Sequence, residues 1–167
     1  MSQLNYIIVN IDQQRLLCID RNGKQFIDYP VSTSVSGSGS QDGSFKTPLG
    51  RHSIAQKIGD GCPINEVFVG RKPLGVLDEL LAAGETLPED IITSRILWLK
   101  GEEPGLNVGD GIDSYKRYIY IHGTSDEDKI GMPASHGCVR MFNKDVIELF
   151  NLVDEGCTVL IQEKDNE

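Results

Sequence analysis

Apolar and polar residues alternate in three short runs at the start of the chain: YIIVNI (6–11), RLLCID (15–20) and QFIDYPVST (25–33). A period of two marks strands, because successive side chains of an extended chain point to opposite faces. The runs are broken by DQQ and by Arg21-Asn22-Gly23. Asn-Gly is a hairpin dipeptide, since both turn positions need φ > 0. The pattern predicts a β-meander over roughly the first 35 residues. The next stretch, VSGSGSQDGSFKTPLG (35–50), has no periodicity. It is expected to be a surface loop, with a substrate-side flap as the functional reading.

Strand patterns resume in RHSIAQKI (51–58) and NEVFVGR (65–71). In GVLDELLAAGE (75–85) the apolar positions Val76, Leu77, Leu80 and Leu81 fall three and four apart, which predicts a helix ended by Gly84. SRILWLK (94–100) and YKRYIYIHG (115–123) read as strands, the second running buried into His122. A second helix is predicted with Asn143 as N-cap, Asp145 in the first turn, and Val146, Ile147, Leu149, Phe150 and Val153 on its apolar face. Gly156 is the expected terminator, CTVLIQ (157–162) the last strand, and EKDNE (163–167) a frayed tail. The expectation is a β-rich α+β fold, one domain over residues 1–167, with about two helices.

A length of 167 residues suits one domain, domains commonly running to ~100–150 residues. The net charge of −9, from 16 basic and 25 acidic residues, argues against a nucleic-acid partner, which needs a basic face. It argues equally against docking on anionic membranes. No apolar run approaches the roughly 20 residues of a membrane helix, so no membrane insertion is expected. The opening MSQLNYIIVNIDQQRLL lacks a basic n-region, an apolar h-region and a cleavage site. A cytoplasmic location is therefore expected, with a periplasmic one as the alternative if a leader has been removed. Cys18 and Cys157 read as buried strand residues, while Cys62 is a loop residue without an assigned role. The even cysteine count does not by itself imply disulfides.

Chemistry concentrates in IHGTSDEDKIGMPASHGCVRM (121–141). A strand delivers His122 into a Gly-containing turn, and a loop leads on to Ser135-His136-Gly137-Cys138. A thiol of reference pKa about 8.5 is mostly protonated at neutral pH, so amide chemistry at Cys138 needs a neighbouring imidazole. Gly137 has the backbone freedom to turn the amides of Gly137 and Cys138 toward one developing oxyanion. The third histidine, His52, reads as a strand or loop residue. Trp98, Tyr115, Tyr118 and Tyr120 read as core aromatics, with pocket lining as the other reading. The acidic run Ser125–Asp128 reads as a solvated face.

The block IHGT…SHGCVRM resembles the signature of YkuD-type L,D-transpeptidases. Thr47-Pro48-x-Gly50 in FKTPLGRHSI resembles that family's TPxG element, and TSRILWL…N…YIYIHG its strand pair leading to the site. The likeness spans roughly residues 5–162. It implies a YkuD-like β-sandwich or barrel in which Cys138 is the acylated nucleophile and His122 its base, oriented by a backbone carbonyl. It implies that His136 and Gly137 shape the site and its oxyanion hole. Arg140 and Ser135 are the expected substrate-side residues. Arg140 would meet a carboxylate or hold the loop, and Ser135 would act through hydroxyl-to-backbone bonds in the turn.

The resemblance further implies attack on the diaminopimelate carbonyl of a peptidoglycan tetrapeptide or muropeptide, expelling D-alanine. Water would then release a tripeptide, a D-amino acid an exchanged stem, and a second stem a 3-3 cross-link. The expected cytoplasmic location favours L,D-carboxypeptidase or exchange activity in murein recycling; an exported cross-linking enzyme is the alternative. No cofactor and no metal are implied. A zinc site of His122, His136 and Cys138 would lack the usual paired-ligand spacing. A non-catalytic glycan- or peptide-binding module would be expected to lose the thiol or its base, and both are present. Arg140, Arg95, Lys46 and Arg117 are the candidate partners for substrate carboxylates.

Overall fold

The computed structural model describes residues 3–164, so part of the expected frayed tail lies outside the described residues. The expected meander is present as β1 (Leu4–Asn10), β2 (Arg15–Asp20) and β3 (Gln25–Ser32). At the β2–β3 turn Gly23 takes φ 79°, and the Asp20 carboxylate accepts the amides of Asn22 and Lys24 at 2.8 and 2.9 Å. Then come β4 (Gly50–Ile58), β5 (Glu66–Val69), β6 (Lys72–Val76), α1 (Leu77–Ala82), β7 (Ile92–Gly101), β8 (Tyr120–Thr124), β9 (Val139–Met141), α2 (Asn143–Leu152) and β10 (Thr158–Gln162).

Strands run in the order β4-β10-β1-β2-β3-β9-β8-β7, and β7 pairs back onto β4. The sheet therefore closes on itself, which leaves those strands no open edge. The β5–β6 hairpin branches from the first residues of β7, where Val67 and Phe68 pair with Thr93 and Ile92. The β-rich barrel with two α-helices matches the fold class expected from the sequence.

Period-two alternation separates two cores. Ile7, Val9, Leu16, Cys18, Val31, Leu97, Leu99, Ile121, Val139, Met141, Val159 and Ile161 share the main core with Val146 and Leu149 of α2. The alternate residues of β7 and β8, Ile96, Trp98 and Tyr120, gather on the opposite face with Phe68 of β5. At roughly 1.5–3 kcal/mol for each fully buried large apolar side chain, the main core dominates folding and the smaller one shapes a surface.

Local patterns were overridden in four places. The first helix is only six residues long; Val76 belongs to β6, opposite Glu66, and Leu81 is 55% exposed. Hairpin pairing with β5 captured the start of the helical pattern. In α2, Asn143 is not the N-cap but the first helical residue. Its side-chain oxygen accepts the hydroxyls of Thr93 and Ser94, and its amide donates to Thr124 O at 2.9 Å. The backbone N–H of Asn143, which has no partner within the helix, goes instead to the Glu127 carboxylate at 2.8 Å, so the acidic run Ser125–Asp128 supplies a helix cap rather than only a solvated face. The helix ends at Leu152, and Gly156 (φ 92°) serves the turn into β10. The strand into His122 starts at Tyr120, because Tyr118 takes φ 57° and turns the chain.

Candidate active site

Strands β8 and β9 are parallel, with Ile121 level with Val139 and His122 level with Arg140. Parallel neighbours need a long return connection, here residues 125–138, and this return brings Ser135–Cys138 alongside the start of β8. By alternation, Cys138 and Arg140 share a face with Tyr120 and His122, the face opposite the main core. The structure thus puts the predicted base on β8 and the predicted nucleophile at the entry to the adjacent β9.

Cys138 packs against the Trp98–Tyr120 cluster. Its sulfur accepts the Tyr120 amide at 3.3 Å, and the S–H faces Tyr118 O at 3.4 Å. The turn at Tyr118 is what aims that carbonyl. Trp98 stacks on Tyr115 with centroids 4.2 Å apart and donates Nε1–H to Tyr115 O at 3.0 Å. These aromatics are at once core and the bed of the sulfur. Burial pushes the Cys138 thiol up to about 12; the Tyr120 amide opposes the shift, and so do Arg140 and Arg117, while Asp90 adds to it.

His122 is buried, and its Nδ1 lies 2.5 Å from Gly123 O. A carbonyl only accepts, so Nδ1 carries the proton and Nε2 is the basic nitrogen. Nε2 has no hydrogen-bond partner among the described residues. Burial lowers the pKa of His122. The resting pair is therefore a neutral thiol and a neutral imidazole, with the base already in its accepting form.

The turn before the nucleophile is held from within. Ser135 is buried; its hydroxyl donates to Cys138 O at 2.6 Å and accepts the Gly137 amide at 3.2 Å. These are the hydroxyl-to-backbone bonds expected of Ser135, and they make it part of the turn's frame rather than a substrate-side group. Gly137 sits at φ 126°, where a side chain would be strained, and its amide is already engaged. Its carbonyl accepts the Thr47 hydroxyl at 3.0 Å, and that same hydroxyl oxygen accepts the Ser34 amide at 3.0 Å. The TPLG element therefore fastens the Gly/Ser-rich stretch to the nucleophile turn, making that stretch a pinned wall rather than a free loop.

Arg140 is buried, with Nη2 on Asp90 Oδ1 at 2.6 Å and Nη1 on Ala134 O at 3.3 Å. A substrate carboxylate could reach it only by displacing Asp90, so the loop-holding reading is the one the geometry carries. His136 is exposed, edge-on to Phe45 at 6.1 Å, with Nδ1 3.8 Å from Asp90 Oδ2. His52 lies in β4, buried and bonded to Gly50 O (3.0 Å) and Ser114 Oγ (2.8 Å), a structural residue as expected. Among the described residues no three His, Cys, Asp or Glu side chains converge as a metal site requires.

A cavity of about 260 Å³ opens on Cys138, lined by Phe45, Arg117, Ile119 and His136, with Asp42 and Gly43 at one side. Asp90 and Phe45 were missed from the sequence. Asp90 stands in an unpatterned LPED stretch between α1 and β7, and no local signal ties it to Arg140.

The sequence model of the L,D-transpeptidase catalytic domain, YkuD, matches residues 4–161. The putative L,D-transpeptidase YkuD of Bacillus subtilis is 50% identical over 46 residues, a stretch covering 28% of each chain. Among solved structures, an L,D-transpeptidase from Mycobacterium smegmatis aligns at TM-score 0.55 and 16% identity, over 96% of this chain and 59% of that one. Bd1075 of Bdellovibrio bacteriovorus aligns at TM-score 0.58 and 17% identity, over 99% and 49%. The chain thus spans about half to three fifths of these solved relatives, which share its fold. With the sequence model covering nearly every described residue, the chain belongs to the YkuD family of L,D-transpeptidase catalytic domains.

Proposed function

We propose that the chain transfers acyl groups of peptidoglycan stem peptides through a Cys138 thioester, with water or a D-amino acid as the usual acceptor. The observation that carries this reading is the half-buried Cys138 sulfur at a cavity, on the same sheet face as the unpartnered Nε2 of His122. Nε2 takes the thiol proton as the sulfur attacks the L-centre carbonyl of diaminopimelate in a tetrapeptide. The C–N bond to the terminal D-alanine breaks, and the imidazolium returns its proton to the leaving amine. The thioester then meets water, deprotonated by His122, and releases a tripeptide and the free thiol. Amide donors near the developing oxyanion are worth ~10²–10³ in rate each. Since the Gly137 amide already serves Ser135, the Cys138 amide is the leading donor.

The L,D-carboxypeptidase or exchange reading, on soluble muropeptides, stands against 3-3 cross-linking as the alternative. Purified protein incubated with disaccharide-tetrapeptide, with and without a D-amino acid, tests it by mass. Tripeptide or exchanged tetrapeptide is expected, whereas dimers without tripeptide would favour cross-linking. Release of D-alanine by Cys138→Ala at a near-normal rate would overturn the nucleophile.

A further inference from the structure

A tetrapeptide ending in diaminopimelate and D-alanine is rich in carboxylates, while the protein carries a net charge of −9. A cation at the site would favour such a substrate, and the structure separates the candidates. Arg140 is taken by Asp90. Arg95 is buried, donating to the carbonyls of Cys62 and Ser94 at 2.9 and 2.6 Å. The aliphatic chain of Lys46 lies against Gly39. Arg71 lies over Trp98 and Tyr118, 5.0 Å from each ring, and donates to Tyr120 OH at 3.2 Å. None of these lines the cavity at Cys138; Arg117 does.

Two wall carbonyls hold the Arg117 guanidinium, with Nη2 on Lys46 O at 2.7 Å and Nη1 on Gly39 O at 3.3 Å. It forms no ion pair among the described residues. Partial burial lowers its pKa, with Asp42 and Cys138 acting the other way. The group is a half-buried cation, fixed in orientation by neutral acceptors, and lacking the bidentate anion that its fork matches best. A guanidinium has five N–H donors, so two carbonyl bonds leave capacity for a carboxylate.

We propose that Arg117 is the carboxylate receptor of this site and sets its specificity for an acidic stem. The inference rests on the stem-peptide reading above. The carboxylate has two sources, the C-terminus of D-alanine or the side chain of diaminopimelate.

Three substrates separate them: the tetrapeptide, its C-terminal D-alaninamide, and the tetrapeptide amidated on the diaminopimelate side chain. The wild-type protein is expected to lose about 10- to 100-fold in kcat/KM on whichever amide removes Arg117's partner, the range for a charge-assisted bond. Arg117→Gln should lose the same factor on the free acid and little more on that amide, and Arg117→Lys should recover part. Equal turnover of all three peptides by the wild type would overturn the proposal without any variant. A uniform loss across all three in Arg117→Gln would also overturn it, marking a structural role. Calorimetric binding to Cys138→Ala keeps the two readings apart. Acid-over-amide preference without turnover in the wild type sinks the acyl-transfer function but upholds Arg117. Equal binding of acid and amides, or none, sinks the receptor.

Discussion

The Asp90 carboxylate holds the Arg140 guanidinium at 2.6 Å, although fifty residues separate them in the chain. Arg140 is buried two positions after the nucleophile, and the other Asp90 oxygen faces His136 at 3.8 Å. One side chain thus ties the α1–β7 connection to both ends of the catalytic turn.

Asp90→Asn removes the charge and strands a buried guanidinium whose Nε already lacks a partner. Breaking a fully buried pair from one side costs about 3–5 kcal/mol. Asp90 is 30% open to solvent, which reduces the expected loss to about 1–3 kcal/mol. Thermal unfolding measures it, and the double change Asp90→Asn with Arg140→Gln should recover part of the loss. An unchanged midpoint in Asp90→Asn would mean that the pair contributes nothing to stability.

Burial lowers His122 from its ordinary 6.5 and raises the Cys138 thiol. His122 acts in its neutral form, so activity is lost only as pH falls through its lowered pKa. The acid limb of kcat/KM should lie below pH 6.5. Alkylation of Cys138 by iodoacetamide should still be climbing with pH beyond neutrality, because little thiolate exists there. His122→Asn should cost nearly as much activity as Cys138→Ala, since the two act as one unit. A rate maximum confined to pH above 8, with an acid limb near 7.5, would contradict a lowered His122.

Burial lowers His52 from 6.5 to about 4, outweighing its bond to Gly50 O. Unfolded, this imidazole gains a proton below pH 6.5; folded, it resists until about 4. Between those values the unfolded chain binds more protons, so stability falls as pH is lowered through that window. The full effect is about 3 kcal/mol as an upper bound, at 1.36 kcal/mol per unit. His52→Gln, which can keep bonds to Gly50 O and Ser114, should flatten this slope in urea titrations at a series of pH values. An unchanged slope would assign the acid sensitivity to other groups.

Much of the site was legible in the sequence because its signals are local. Cys138 and Gly137 are adjacent, and the apolar run Ile119–Ile121 leading into His122 reads as a buried strand. Thr47 was flagged by its motif, but only the bond to Gly137 O explains why a hydroxyl is needed there. Asn143 shows the opposite case. Its position fits an N-cap, yet Thr93 and Ser94 of β7 and the Thr124 carbonyl compete for its side chain and win. Val76 was drawn from a helical pattern into a strand by pairing with β5.

The sequence by itself determined where the opening meander and most of the later strands run, where the Asn22-Gly23 turn falls and which residue types can supply a nucleophile and a base. Those properties follow from side-chain alternation, backbone permissiveness and functional-group chemistry, all readable within a few neighbouring positions. Only the tertiary structure decided that β7 closes onto β4, that β9 returns parallel to β8, and that Asp90 rather than a substrate neutralises Arg140. Strand partners and ion pairs depend on which distant edges and charges compete for one another, and that competition is resolved only when the whole chain is packed.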